Sequence, residues 1–413
     1  MKLSAIDDFI GKKELIPTLD RETFDAFQLQ MLKNIISYCK ENGSFYKYLP
    51  EEISSFDDFA KIKFMTESDI ISRNNELLLI SQSQVSSIIS EQTSGTSNVS
   101  KRIFYTDDDM QRTIEFFSCG LSELVESEDN VLVVMPSGNS GSLSVLISKA
   151  IKLLGAEAFI FDHGRTYAEM AEIIKNKGIQ VIVAMPIPLL SFFRYSRAQN
   201  VNINIKSALV SADSCDGEIE KLLTREFGCE IFPHYGSRES GLGGAITCHA
   251  HEGMHIWENE LYFEIIDENG VVLPNGREGE LVITTLKRKA MPLLRYKTGD
   301  SAMIIEKSCV CKSIIRRIDK IQRKVQEDGI DIHELDKIIF KNPDVIDFRV
   351  SMKDKTLYFD IVTSKATDFA GINEELSCGL VKDTTFVISS RLYNSRDEYP
   401  FYPAKRTILK VDN

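Results

Sequence analysis

The sequence is short of several things, and each shortage excludes something. Eight cysteines in 413 residues do not make a disulfide framework, and a reducing compartment leaves metal binding or simple burial as their role. Positive charge is in deficit, with 49 Lys and Arg against 61 Asp and Glu and a formal net charge of −12. Nucleic acid and anionic membrane are therefore excluded as principal partners, because both need a basic footprint; a local phosphate pocket is not excluded. No apolar run reaches membrane-spanning length: the most apolar window, 178–193, is interrupted by Gln180, Pro186 and Pro188. The segment 1–20 lacks the apolar stretch and small-residue site of a secretion signal, so the chain is expected in the cytoplasm. There is no low-complexity tract and no repeat of solenoid period. The GxxxxGK[ST] phosphate loop and the G-x-G-x-x-G dinucleotide fingerprint are missing as well.

What is present is enough apolar residue, 43% of the chain, to build a large core without a staple, and a length that predicts two or three domains. Phe24, Phe27, Met31, Leu32 and Ile35 fall on one stripe of an early helix. From residue 130 onward, short unbroken apolar runs at 131–135, 156–161, 179–184, 205–210 and 230–232 alternate with helical stripes at 143–154, 166–177, 188–198 and 216–227. Strands of that kind predict an α/β, doubly wound parallel sheet covered on both faces, with ligands at the carboxyl ends of its strands. After Gly253 the texture turns to β, with strands expected at 261–267, 279–285 and 301–305. The remaining segment reads helix 332–340, strands 346–351 and 356–363, helix 369–378 and strand 384–390, a small α+β domain. The expected division is 1–316, a large domain with its β-rich subdomain, and 317–413, a small mobile C-terminal domain.

Three short stretches carry candidate chemistry. Thr93, Ser94, Gly95, Thr96 and Ser97 leave backbone N–H groups open to wrap a phosphate, and Lys101 adds a point charge. Pro233-His-Tyr-Gly-Ser-Arg-Glu239 follows a predicted strand; Tyr235 can stack on a planar base, and the carboxylate of Glu239 can hold a hard cation such as Mg²⁺. In Leu294-Arg-Tyr-Lys-Thr-Gly-Asp300 an aspartate at a glycine turn can accept from the cis hydroxyls of a ribose. Each stretch alone is an ordinary loop. A fourth set is separate: Cys248 with His255, or alternatively His249 or His251, and Cys309-Val-Cys311. Thiolates with an imidazole suit tetrahedral Zn²⁺.

Taken in this order, the stretches resemble the adenylate-forming superfamily of acyl-CoA synthetases, luciferases and adenylation domains. Within it, the run Gly253-Met-His-Ile-Trp-Glu-Asn-Glu-Leu-Tyr-Phe-Glu-Ile-Ile-Asp267, then Gly279–Leu286 and Pro292–Asp300, looks like the phenylacetate–CoA ligase family; Phe64-Met-Thr-Glu-Ser-Asp69 resembles that family's opening. The resemblance implies an ATP-dependent, AMP-forming ligase that activates a small, aryl or other, carboxylic acid and passes it to coenzyme A. It places Thr93 to Ser97 as the phosphate loop and Lys101 near the pyrophosphate. Ser211, Ala212 and Asp213 would lie beside the adenine, with Tyr235 stacked on it and Gly236 and Ser237 adjoining. Glu239 would hold Mg²⁺, Asp300 the ribose, and Arg317 a ribose or phosphate oxygen.

The same resemblance implies a structural zinc at Cys248, His255, Cys309 and Cys311, and a catalytic lysine near the C-terminus. Strict alignment puts Pro403 at that lysine's place, which makes Lys405 the candidate. Two further departures are Asn98, where a glycine is usual, and the hinge 317–325, which lacks the Gly-Arg-x-Asp pattern. Two other readings stay open: transfer to a carrier-protein thiol or an amine, and a non-catalytic nucleotide-binding relative. A homodimer is also left open.

Overall fold

The computed structural model describes residues 4–16, 19–91, 101–136, 141–162, 164–319, 321–323, 330–379, 384–393 and 406–411. Thr93, Ser94, Gly95, Thr96, Ser97, Asn98, His163, Pro403 and Lys405 lie outside the described residues. The chain is mixed α/β and forms two compact units, neither of them continuous in sequence: 1–123 with 233–323, and 124–232 with 324–413.

In the second unit the strands Asn130–Val134, Glu157–Ile160, Val181–Ala184 and Ser207–Val210 pair in parallel, in the spatial order 157–160, 130–134, 181–184, 207–210. Every residue of Val181–Ala184 and Ser207–Val210 is buried, which is why these strands read as unbroken apolar runs rather than alternating ones. Helices Leu143–Leu153, Tyr167–Lys177, Pro186–Ala198 and Gly217–Phe227 connect or follow them. Thr166 caps the second of these helices by a capping box with Glu169. The third starts at Pro186, two residues earlier than the apolar stripe suggested, because a proline at the first helical turn sacrifices no hydrogen bond.

The same unit contains a four-stranded sheet in the order Thr385–Leu392, Thr356–Thr363, Val345–Lys353, Leu409–Lys410. One apolar core runs through both segments of the unit, joining Ile182, Leu190 and Ile219 to Phe340, Phe348 and Leu357. Arg194 is 1% exposed and donates to the carbonyls of Phe340, Asn342 and Val345, while its other arm meets Glu226 at 2.7 Å. A guanidinium can be buried there because nearly all its donors are satisfied by fixed carbonyls and one carboxylate.

The first unit is built from helices Arg21–Asn42 and Asp107–Leu121 and from antiparallel strands. Helix Asp107–Leu121 opens with a Thr106–Asp109 capping box, so Asp109 is a buried cap rather than a solvated charge. Strands Leu261–Ile266, Glu278–Thr285, Tyr296–Met303 and Gln322–Arg323 pair in that order. Pro233–Tyr235, Ala245–Thr247, Met254–Ile256 and Arg317–Ile318 make a second antiparallel set. Ser87–Glu91 pairs antiparallel with Lys101–Tyr105, with Glu91 opposite Lys101.

Candidate active site

The first unit brings four of the expected residues together. Lys101 begins its strand, and its ammonium lies 2.7 Å from Glu239 Oε1. Lys101 is 8% exposed and Glu239 6%, so the pair is held largely out of water. Burial works against the charge on each. Each partner outweighs that for the other, leaving Glu239 below the usual carboxylate range and Lys101 above the usual amine value. Tyr296 also donates to Glu239 Oε1, at 3.3 Å.

Glu239 is presented by a tight turn. Ser237 and Ser240 exchange reciprocal backbone-to-hydroxyl bonds of 2.9 and 3.1 Å. Arg288 fixes the Glu239 carbonyl at 2.6 Å, and Tyr105 donates to the Arg238 carbonyl. Gly236 is required by close approach, since a Cβ there would come within 2.3 Å of the Leu242 carbonyl oxygen.

Tyr235 is buried and donates its phenolic proton to Asp300 Oδ2 at 2.9 Å. Burial first, and then Asp300, push its pKa well up, so the phenol keeps its proton and orients the carboxylate. Asp300 does not sit in a free turn, as the Thr-Gly-Asp pattern suggested. It lies within strand Tyr296–Met303, where residues 298–300 stand opposite Leu281 alone. Gly299 takes φ 76° in this bulge, and Thr298 donates to the Leu281 carbonyl at 2.8 Å. A bulge of this kind re-aims a side chain, here that of Asp300. His234, next to Tyr235 in sequence, packs against Phe116 and Phe117; burial holds it down to about 3, so it stays neutral.

Ser211, Ala212 and Asp213 belong to the second unit, directly after strand Ser207–Val210, at the edge where parallel sheets bind ligands. Ala212 is left-handed at φ 69°. Asp213 accepts from the Ser214 N–H at 2.9 Å and from the Arg406 N–H at 2.8 Å, and lies 3.4 Å from His333 Nε2. His333 is thus a partnered group, facing Asp213 and Asp336. Arg406 in turn holds Asp336 at 2.7 Å, and Asp336 is 1% exposed. Arg317 is 4% exposed and donates to the carbonyls of Glu252 and Lys307, so a nucleotide contact would require those bonds to be exchanged.

A second constellation forms in the same unit as Lys101. Ligand atoms of Cys248, His255, Cys309 and Cys311 all lie within 4.8 Å of one another. His255 sits mid-strand, paired across to Ile246 on one side and Arg317 on the other. Two tight turns present the thiols: His251 N–H bonds the Cys248 carbonyl, and Lys312 N–H the Cys309 carbonyl. Cys248 Sγ lies 3.7 Å from Cys309 Sγ, and Cys311 Sγ lies 3.3 Å from His255 Nε2. Tetrahedral zinc with Zn–S bonds of about 2.3 Å demands sulfur separations of roughly 3.8 Å, so the spacing fits the ion. The His255 Nδ1 meets the Ile315 carbonyl at 3.1 Å, which turns Nε2 toward the sulfurs. His249 points instead to Glu123, at 3.0 Å, and is exposed.

Three residues of the first site escaped the sequence reading. Glu67, the first residue of helix Glu67–Ser72, lies 2.8 Å from the Lys101 ammonium. Glu67 and Tyr296 sit inside stretches singled out for other reasons, and Arg288 lies between two of them. Their signals were present as residue types but not as partners, because each partner is far away in sequence.

The comparisons with known proteins agree with a fold of this kind. The AMP-binding enzyme family model matches residues 91–286. The phenylacetate–coenzyme A ligase of Aromatoleum evansii is 26% identical over 394 residues, 89% of this chain and 86% of that one. The Thermus thermophilus phenylacetate–coenzyme A ligase is 24% identical over 353 residues, 80% of this chain and 78% of that one. In fold, a 2-hydroxyisobutyryl-CoA ligase in complex with 2-HIB-AMP superposes with a TM-score of 0.77 at 16% identity, covering 94% of this chain and 89% of that one. The chain is thus similar to AMP-binding enzymes, the phenylacetate–coenzyme A ligases among them.

Proposed function

We propose that the chain is an ATP-dependent, AMP-forming ligase that activates a small carboxylic acid as its acyl adenylate and transfers the acyl group to coenzyme A. The observation that carries this reading is the Lys101–Glu239 pair at 2.7 Å, held in one unit with Tyr235 and Asp300 at 2.9 Å. A carboxylate is a poor acyl donor because its leaving group would be oxide. Attack of its oxygen on the α-phosphorus of ATP breaks the bond to pyrophosphate. Attack of the coenzyme A thiolate on the resulting acyl carbon then expels AMP with the bonding pair. Such chemistry needs positioning and charge neutralisation more than a nucleophilic side chain.

Lys101 supplies a point charge to the phosphate oxygens, and Tyr235 and Asp300 take the adenine and the ribose. The resemblance also assigns nucleotide-binding or catalytic roles to the hydroxyl-rich loop Thr93–Ser97, the Ser211–Asp213 loop, Arg317 and Lys405. Residues 1–316 would form the adenylating domain and 317–413 the small C-terminal one. A buried carboxylate already facing a cation fits a hard divalent ion, so Glu239 would hold Mg²⁺, which neutralises phosphate charge when bound. The resemblance favours an aryl acid. A cytoplasmic location accords with this chemistry, and among the described residues no helix is long and apolar enough to cross a membrane.

The deciding experiment is exchange of labelled pyrophosphate into ATP across a panel of carboxylic acids, followed by thioester formation with coenzyme A. Exchange that depends on one class of acid supports the reading, whereas silence across the whole panel sinks it. Exchange without thioester moves the acceptor to a carrier-protein thiol or an amine.

The Cys248–His255–Cys309–Cys311 cluster is proposed as a closed structural zinc site. Four protein ligands leave no open position for substrate, so the ion would tie two loops together. Protein purified without added zinc should carry about one equivalent by elemental analysis. Cys309→Ser should lose the metal and unfold at lower denaturant. Metal-free protein whose unfolding midpoint is unmoved by that substitution would remove zinc from the account.

A further inference from the structure

Lys101 carries more charge around it than the nucleotide chemistry needs. Among the described residues its ammonium faces Glu239 Oε1 at 2.7 Å and Glu67 Oε1 at 2.8 Å. The two acids differ in setting: the Glu239 side chain is 8% exposed and the Glu67 side chain 53%.

Glu67 is nonetheless held in place from its backbone. Met65, fully buried, exchanges backbone bonds with the strand that carries Tyr296: Met65 N–H to the Arg295 carbonyl at 3.1 Å, and Lys297 N–H to the Met65 carbonyl at 2.9 Å. Thr66 then caps helix Glu67–Ser72 by a box with Asp69. A residue two positions beyond a fixed bridge and one beyond a fixed cap has its Cα determined, which places the side chain within reach of Lys101.

We propose that Glu67 is a positioning residue for Lys101 during adenylation, the counter-ion that keeps the ammonium in place when Glu239 is taken over by a divalent cation. This rests on the reading that the unit binds ATP with its metal. A carboxylate engaged by an ammonium at 2.7 Å cannot give a dication its full charge, and an ammonium left beside that dication is repelled by it. A second carboxylate on the opposite claim resolves both conflicts. It keeps Lys101 paired, restrains it from following Glu239, and leaves it aimed at the phosphate oxygens. Glu67 touches neither substrate nor reacting atom in this account; it acts through Lys101.

The test is a double-mutant cycle read by acid-dependent pyrophosphate exchange, with MgCl₂ titrated in each variant. Glu67→Gln should lower the exchange rate roughly tenfold and raise the Mg²⁺ concentration needed for half-maximal rate, with the KM for ATP changing less. Glu67→Asp, which keeps the charge, should recover part of both. In the Lys101→Ala background, Glu67→Gln should have no further effect. An equal loss in both backgrounds would assign Glu67 a purely structural role and overturn the proposal. So would a wild-type rate and Mg²⁺ requirement in Glu67→Gln while Lys101→Ala is impaired. If Lys101→Ala itself exchanges normally, the adenylation site has been misplaced and the proposal falls with it.

Discussion

Lys101→Ala should depress acid-dependent pyrophosphate exchange by about a hundredfold or more, the usual loss for one preorganised donor to developing phosphate charge. The effect should fall on the rate and much less on ATP binding, because the aromatic and ribose contacts proposed for Tyr235 and Asp300 do not involve the lysine. Lys101 is 8% exposed, and its ammonium lies 2.7 Å from the carboxylate proposed to hold the metal. Its charge therefore acts in a medium where water cannot replace it. Glu239→Ala should give a loss of comparable size by removing the other half of the pair. Pyrophosphate exchange within about twofold of wild type in both variants would mean that these residues are not at the reacting phosphates.

The largest effect on stability is expected from Arg295→Ala. Arg295 is 1% exposed, meets Glu264 at 3.0 Å, donates to the carbonyls of Ala60 and Ile62, and stacks 4.1 Å from the Phe64 ring centroid. Its truncation leaves a carboxyl that is 3% exposed without its cation, a loss of about 3–5 kcal/mol for a broken buried pair. Burial already raises Glu264 above its ordinary 4.5, and Arg295 only partly opposes this. A carboxyl raised in the folded state is penalised once the unfolded chain ionises. Both proteins lose stability as pH rises past about 4.5, so the deficit should be smallest at acid pH, open only above the raised wild-type value of Glu264, and level off above the still higher value of the variant. Urea unfolding of wild type and variant across that range checks both size and slope. A loss under about 1 kcal/mol at neutral pH would show that the site relaxes to let water reach Glu264.

The parallel strands and their helices were legible because burial on both faces leaves a direct mark in sequence. The strand Val181–Ala184 and the helix Tyr167–Lys177 appear almost at the expected residues. The same held for the C-terminal segment, where helix Ile332–Ile339 and strands Val345–Lys353 and Thr356–Thr363 match their periods. Strand Tyr296–Met303 was placed too late because its first half holds a glycine and charged residues, and a bulge breaks the alternation that would reveal it. Two-residue strands such as Arg317–Ile318 and Leu409–Lys410 carry no period at all. At the site, the thiols and the imidazole were visible as a set, since metal-ligating residue types are rare enough to stand out. Glu67 was not, because a glutamate after a helix cap is ordinary until its partner, Lys101, is known. Nor did sequence suggest that Asp213 is bound by Arg406, because nothing local links residues so far apart.

The interleaving of the two units has a consequence for how the protein is made. Residues 124–232 leave the ribosome well before their companions at 324–413, with 233–323 in between. At roughly 5–20 residues per second, that interval lasts some seconds. During it, Ile182, Leu190 and Ile219 lack Phe340, Phe348 and Leu357, and Arg194 lacks the carbonyls that justify its burial. Only when synthesis has passed residue 406 can Asp336 acquire its guanidinium. A nascent chain of this design therefore presents a half-built apolar surface to the cell for a fixed time, one that a chaperone or a neighbouring nascent chain can engage before the native partner arrives.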